Sequence, residues 1–297
     1  MEFTIELLES LIYEGKEMVV NSAQLAKLIA HYGPSDFSDF SPRSFYFWKE
    51  QERPIPLSVA IKIIKKERVR SITIESFSVN GGNKIFPPNE KDESLYYFLG
   101  LILGDGCLIH SKKRGNRNTY LVQITFREKI SAEMMKKWVE KSFNLIPSIY
   151  PGRGCFNLCI FSKPLVIILH KKYDIPLGLK YSSIKVPEII KNCSSKRIKL
   201  FLRGVFDSDG NIYLHRGKKS VQLRQKSYSF LKELKDLFLK IGVEFREPYQ
   251  DIGNNSWVLW TSKKKTVDNF INKIMSINIC PGSSAWIEHL PSKMSGL

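Results

Sequence analysis

From residue 91 onward the apolar and polar positions follow one order of periodicities, and they follow it twice. An apolar run over Tyr96–Leu103 closes on Gly104-Asp105-Gly106, and alternation over 107–110 and 119–127 then predicts two strands. Met135, Trp138, Val139 and Phe143 return to helical spacing. Two more strands flank Pro151-Gly152-Arg153-Gly154, and a helix closes the unit. The second pass begins at Leu202-Arg203-Gly204-Val205-Phe206-Asp207-Ser208-Asp209-Gly210, which repeats Phe98–Gly106 at an offset of 104. Val122-Gln123-Ile124 returns as Val221-Gln222-Leu223, and Ser162-Lys163 as Ser262-Lys263. Strands follow at 211–215 and 219–226, then a helix through Leu234, Leu237, Phe238 and Ile241. Two strands around Asp251-Ile252-Gly253-Asn254 lead to a last helix through Val267, Phe270, Ile271, Ile274 and Met275. Each copy is αββαββα, so the fold class is α+β.

Residues 1–70 carry a different pattern, and helices are expected throughout. Leu7, Leu8, Leu11 and Ile12 have amphipathic spacing, and Asn21 or Ser22 caps a helix carrying Leu25, Leu28 and Ile29. After a polar connection, Gly33–Phe40, Ser41-Pro42 starts a third helix, Arg43–Lys49. A fourth follows Pro54 and Pro56. This small all-α part resembles helix-turn-helix domains of repressor-like proteins. The resemblance implies that the third helix enters a major groove, with Arg43 and Lys49 against DNA; a helical partner-binding domain is the alternative. Residues 71–90 read as a hairpin-like linker, 91–182 and 183–280 as the two copies, and 281–297 as a tail.

Charge sharpens the division. The 297 residues have a net charge of +17, yet residues 1–90 hold 11 Lys/Arg against 12 Asp/Glu. Residues 91–297 hold 35 against 17, a net of +18, the balance expected of a part that grips a polyanion. Apolar residues at 43% and charged residues at 25% are ordinary for a packed protein and argue against disorder. No apolar run approaches the ~20 residues of a membrane span, and the acidic start is unlike a secretory signal. Five cysteines without a C-x-x-C pair suit a reducing compartment such as the cytoplasm, with Cys155 and Cys159 as buried free thiols.

The two helix ends carry the candidate chemistry. Gly100 and Gly104 share one helix face, as do Gly204 and Ser208. Small residues four apart let two helices approach closely. Packed through those faces, the copies bring Asp105 and Asp209 side by side at negative dipole ends, an arrangement that favours divalent cations on oxygen ligands, Mg²⁺ or Mn²⁺. A plain Asp-Gly helix stop is the alternative for either end alone.

The strands add a second constellation. In the first copy Tyr120, Val122, Ile124 and Phe126 form a core face, leaving Leu121, Gln123, Thr125 and Arg127 opposite. In the second, Val221 and Leu223 face inward while Ser220, Gln222, Arg224 and Lys226 face outward. Gln and Arg suit base edges. Turn residues Lys112, Lys113, Arg114, Arg117, Arg153, Arg216, Lys218 and Lys219 suit phosphates. His110, His215 and Lys263–Lys265 read as surface groups or phosphate neighbours.

The paired nine-residue segments resemble the motif of the LAGLIDADG homing endonucleases, in the layout of their single-chain, two-motif members. Pro176-Leu177-Gly178-Leu179-Lys180 and Ile198–Gly204 are similar to segments of archaeal members. The resemblance implies a saddle of antiparallel sheets astride a long asymmetric site in double-stranded DNA, bound by a monomer. It implies metal binding by Asp105 and Asp209 with the carbonyls of Gly104 and Ser208, and cleavage of both strands to leave 3′ overhangs. Arg127 and Lys226 stand where the family has active-site lysines, with Gln225 as a polar neighbour and Phe126 as its unlike counterpart in the first copy. Arg127 stays protonated and cannot serve as a base, so unequal half-sites are expected. Leu103 departs from the motif's first acidic position, which Asp207 keeps, and the role there is structural. The expected function is site-specific DNA cleavage. A metal-independent transcriptional regulator and an intron maturase are the alternatives. An intact intein is disfavoured by Met1 and by Ser295-Gly296-Leu297.

Overall fold

The computed structural model describes residues 2–12, 17–79, 82–112, 118–180, 183–215 and 217–277. Both copies have the expected element order. The N-terminal part contains strands as well as helices, which corrects the all-α expectation: β1 (Glu2–Thr4), α1 (Ile5–Ser10), β2 (Met18–Asn21), α2 (Ala23–Ile29), α3 (Pro42–Lys49), β3 (Ile55–Pro56), α4 (Leu57–Lys66), β4 (Ser71–Thr73) and β5 (Ser76–Val79). β1 pairs with β4, and β2 lies between β3 and β5. Met18-Val19-Val20 is too short for a helix, and both its pairing partners, β3 and β5, lie more than 30 residues downstream. Only tertiary contact makes it a strand. Segment 71–90 therefore belongs largely to this part, although Phe77 and Ile85 do exchange a pair of hairpin-like backbone hydrogen bonds.

Local signals are realised where they are strong. Ser22 and Ser41 accept from the third residue beyond them and cap α2 and α3. The supposed polar connection holds a 3₁₀ turn, Pro34–Phe37. Its Phe37 is buried against Phe45 and Trp48. Ile12 is 61% exposed, because α1 ends before it.

The first copy comprises α5 (Ser94–Leu103), β6 (Gly106–Lys112), β7 (Asn118–Phe126), α6 (Lys129–Phe143), β8 (Ser148–Gly152), β9 (Cys155–Phe161) and α7 (Lys163–Lys172). After the short α8 (Glu188–Lys191) the second copy follows: α9 (Ser195–Asp209), β10 (Gly210–His215), β11 (Lys218–Gln225), α10 (Tyr228–Lys240), β12 (Tyr249–Asp251), β13 (Ser256–Thr261) and α11 (Lys264–Phe270), prolonged by a π turn to Met275. Each sheet is antiparallel, in the orders β6-β7-β9-β8 and β10-β11-β13-β12. Gln123 pairs with Cys107 and Cys159, and Gln222 pairs with Asn211 and Trp260, so the two registers are equivalent. The predicted inward residues Tyr120, Val122, Ile124, Phe126, Val221 and Leu223 are all buried. Helices cover that face, and the N-terminal part attaches behind the first copy. There Phe86 N–H donates to Phe143 O at 3.0 Å, and the Lys172 ammonium lies 5.1 Å from the centre of the Phe3 ring. Among the described residues no helix is long and apolar enough to cross a membrane.

The copies meet where α5 crosses α9. A Cβ at Gly100 would stand 2.3 Å from Phe201 O and 3.0 Å from Gly204 Cα, and one at Gly204 would stand 2.3 Å from Tyr97 O. The helices touch backbone to backbone, as the small-residue spacing requires. Tyr97 Oη donates across the crossing to Asp207 Oδ2 at 3.0 Å. Asp207 also holds Arg203 Nε at 2.8 Å, and Arg203 donates on to the carbonyls of Ile274 and Met275. Asp207 is thus a structural residue, as expected from its place in the motif. Arg203, at 1% exposure, is tolerated inside because its donors are met.

Gly100→Ala is expected to lower unfolding stability by about 3 kcal/mol or more in chemical denaturation, since the obstructing atoms are backbone and cannot turn aside. Gly154→Ala, at φ +71° with nothing within 4 Å, is expected to cost only about 1–2 kcal/mol of conformational strain.

Candidate active site and nucleic-acid interface

The crossing of α5 and α9 delivers both helix C-termini to one place. α9 runs through Asp209 into β10, whereas α5 stops at Leu103, two residues earlier than its acidic end. Gly106 and Gly210 are not left-handed helix caps, since neither has positive φ. They are required by space: a Cβ at Gly106 would lie 2.6 Å from Ile102 Cα, and one at Gly210 would lie 2.1 Å from the Phe206 ring. The first strand of each sheet folds directly back onto the helix it leaves.

Asp209 crosses to the other copy. A Cβ on Gly104 would meet Ser208 Cβ at 2.3 Å and Asp209 Oδ2 at 3.0 Å, so only glycine there lets the carboxylate lie over the end of α5. Gln225 Nε2 donates to the same Oδ2 at 2.5 Å and fixes its direction. Asp105 is exposed, while Asp209 is half-buried.

Between them stands a lysine that the motif does not contain. Lys180 Nζ donates to the carbonyls of Ile102 (3.1 Å), Leu103 (3.0 Å) and Gly104 (2.5 Å), closing the frayed end of α5. Burial pushes its pKa below the ordinary lysine range, opposed by the charges of Asp209, Cys107 and Asp105. Lys180 binds the carbonyl of Gly104, the residue over which the Asp209 carboxylate lies, so the ends of the two copies converge. The lysine's neighbour Cys107 has its thiol pushed up, chiefly by burial. Sequence reasoning noticed Pro176–Lys180 without giving Lys180 a task. The available signal was Gly178, whose φ of +74° turns the chain after Leu177 bridges to Leu108.

The donors suit a hard cation. Two carboxylates and the last carbonyls of two helices are all oxygen, and a cation such as Mg²⁺ takes one or two carboxylates while keeping water and phosphate ligands. Among the described residues no group of three or more His, Cys, Asp or Glu is placed to hold a metal ion. Gly104 O already accepts from Lys180, and Ser208 Oγ donates to Gly204 O at 3.1 Å. The carbonyl of Ser208 lies at the other helix end.

The remaining expected residues occupy the sheets and their margins. Gln123, Thr125, Gln222 and Arg224 are half-buried on the faces turned away from the helices. Arg127 and Lys226 are exposed one residue past β7 and β11, in equivalent places. Arg153, Lys218 and Lys219 are exposed at turns. Arg43 and Lys49 are exposed on α3, on the N-terminal part rather than near the carboxylates. Lys113, Arg114, Arg117, Arg216, Cys280 and the tail 281–297 lie outside the described residues, as do the side chains of Lys112 and His215. Cys159 is buried as expected, whereas Cys155 is half-exposed.

Residues 197–275 match the family model of a LAGLIDADG-like domain. The solved complex of I-DmoI with DNA and Mn superposes with a TM-score of 0.50 at 22% identity, covering 63% of this chain and 98% of that one. The second copy is thus similar to a LAGLIDADG-like domain, and the two-copy part has the fold of I-DmoI. The I-DmoI complex with DNA and Ca gives the same fold, with a TM-score of 0.52. Curated relatives share only a segment with this chain. The probable translation initiation factor IF-2 of Thermococcus kodakarensis is 26% identical over 154 residues, 52% of this chain and 12% of its own length. A DNA polymerase of Thermococcus litoralis is 28% identical over 149 residues, 49% of this chain and 8% of its own. The match thus spans about a tenth of each of these two relatives, whose names describe unrelated activities.

In ¹³C-methyl NMR of the reductively methylated protein, the Lys180 resonance is expected to titrate at lower pH than those of exposed lysines. Asp209→Asn should move it lower still by removing a charge that favours the ammonium. A Lys180 titration coincident with surface lysines would contradict the site geometry.

Proposed function

We propose that the chain is a site-specific double-strand DNA endonuclease, a metal-dependent phosphodiesterase of the homing type. The observation that carries this reading is the convergence of Asp105 and Asp209 on the Lys180 ammonium between two equivalent sheets. One such acidic end would be a helix stop. Two from separate copies, forced together at negative dipole ends, form a site whose charge calls for a cation. The wider setting supports a polyanionic substrate, since the two-copy part has a net charge of +18. The I-DmoI structures pair the same fold with DNA and with Mn or Ca.

In this reading Asp105 and Asp209, with the carbonyl of Ser208, would hold Mg²⁺ or Mn²⁺. Such a cation would supply Lewis acidity and a more acidic water for phosphodiester hydrolysis. Gln225 keeps Asp209 aimed across the crossing. Lys180 neutralises the end of α5, so that a phosphate can approach without meeting three bare carbonyls. Lys226 and Arg127 add positive charge at the edge of each half, and Arg127 can stabilise charge but cannot take a proton. The two strands are therefore cut at unequal rates. The protein works as a monomer, since both halves of the site lie in one chain.

A second reading, a DNA-binding regulator, draws on α3. Its exposed side presents Arg43, Tyr46 and Lys49, while Phe45 and Trp48 hold it to its own domain. The Arg43 and Arg53 guanidiniums flank the Phe47 ring at 5.2 and 4.2 Å. We assign this face to added DNA contacts beside cleavage; a pure regulator would bind equally well in EDTA and never nick.

Incubation with a randomised plasmid library and Mg²⁺, followed by sequencing of cut ends, should return one long asymmetric site. On that site Asp209→Asn is expected to lower cleavage by about a thousandfold while changing affinity by less than about threefold. Undiminished cleavage by this variant rejects the assignment. With about six phosphate contacts, affinity should fall on the order of a thousandfold between 50 and 200 mM salt. A flat response would reject the polyanion reading.

A further inference from the structure

The faces turned away from the helices are not alike in the two copies. In the first sheet the cross-strand rows are Ile109–Leu121–Phe161, Cys107–Gln123–Cys159 and Thr125–Asn157–Tyr150. None of these nine side chains is Lys, Arg, His, Asp or Glu. Phe161 is 54% exposed and Ile109 half-buried, with Leu121 between them at 9%, so the first row is an apolar strip open to solvent. In the second sheet the equivalent rows hold Tyr213 and Ser220, then Asn211, Gln222 and Trp260, then Arg224, Val258 and Tyr249. Arg224 is steadied there by Asp251 at 2.6 Å.

A neutral strip of this kind is out of place on a part with net charge +18 unless it meets something with both negative charge and apolar surface. The major groove of duplex DNA offers both: phosphates at its walls, and one apolar group on its floor, the 5-methyl of thymine. Arg153, exposed between Gly152 and Gly154 at the tip of β8 and β9, is placed for the wall. Guanine presents two acceptors and is read best by Arg or Lys, which these rows lack. Gln123 suits adenine. Its amide donates to Asn157 Oδ1 at 3.3 Å, the same oxygen takes the Thr125 hydroxyl at 3.0 Å, and Gln123 keeps one acceptor and one N–H for the N6 and N7 pair.

Resting on the endonuclease reading, we propose that the first copy reads an A·T-rich half-site by seating thymine methyl groups on Ile109, Leu121 and Phe161, whereas the second copy uses Arg224 toward guanine. The two halves then differ in the chemistry of readout as well as in the bases chosen.

The test is selection of a randomised duplex library by the full chain in EDTA, repeated with Phe161→Ala. Positions whose preference relaxes in that variant mark the first half-site. Thymine is expected there, and replacing each by deoxyuridine should weaken binding about fourfold per methyl group seated. At the thymine seated on Phe161 the same replacement should cost nothing in Phe161→Ala, which a merely structural role for Phe161 would not produce. G·C pairs at those positions, or deoxyuridine accepted without loss by the unmodified protein, overturn the inference and leave the endonuclease reading standing. Enrichment of no sequence at all overturns both.

Discussion

Everything in this molecule that resembles an active site depends on the distance between two helix backbones. At the crossing of α5 and α9, Gly100 and Gly204 leave room for Cα to face Cα, and a methyl group at either would sit within 2.3 Å of a carbonyl oxygen. Such a contact gains dispersion over the whole crossing but tolerates no larger side chain. Its consequence is felt one turn further on. Because the axes are close at the glycines, Asp209 can lie over Gly104, and both acidic ends can act on one ammonium. With ordinary side chains at the crossing, interaxial spacing would grow toward the usual 8–10 Å and the carboxylates would separate with it.

Bringing those ends together is electrostatically adverse, and the fold answers it in two ways. Lys180 takes three carbonyls of α5, removing much of the partial negative charge there. Asp207 is drawn off to Arg203 and Tyr97, so of the acidic residues at these two ends only Asp105 and Asp209 remain at the gap. The two carboxyl groups that stay at the gap are oxygen donors of the kind a hard cation takes.

Much of this was readable in advance because it repeats. A single Asp-Gly after an apolar run has an ordinary explanation, but the recurrence of small residues, acid and strand at a fixed offset fixes element order, inward faces and the crossing together. What escaped notice shares one physical cause: it depends on contacts between distant segments. Met18–Asn21 becomes a strand through Ile55–Pro56 and Ser76–Val79, and Phe37 is buried where α3 folds back over its turn. Lys180 lies 75 positions beyond Asp105, and Gly178 marks a turn there without saying that the turn carries Lys180 to the end of α5. The helix α5 itself stops at Leu103, two residues short of Asp105, and its last carbonyls bond to that lysine.

Duplication within one polypeptide also frees the halves from symmetry. A homodimer of one copy would present identical faces, and its target would have to be palindromic. Here the registers remain equivalent while the side chains have parted: Cys107 stands where the second copy has Asn211, Cys159 where it has Trp260, Thr125 where it has Arg224. The buried faces did not diverge in kind, because Val122 and Val221 still fill a core that a polar residue would disrupt. Packing thus conserves the geometry that aligns two acidic ends, and the open faces are left to carry different chemistry. Three uncharged rows on the open face of the first sheet stand opposite, in register, to rows that carry Arg224 in the second, so the two faces are not chemically equivalent.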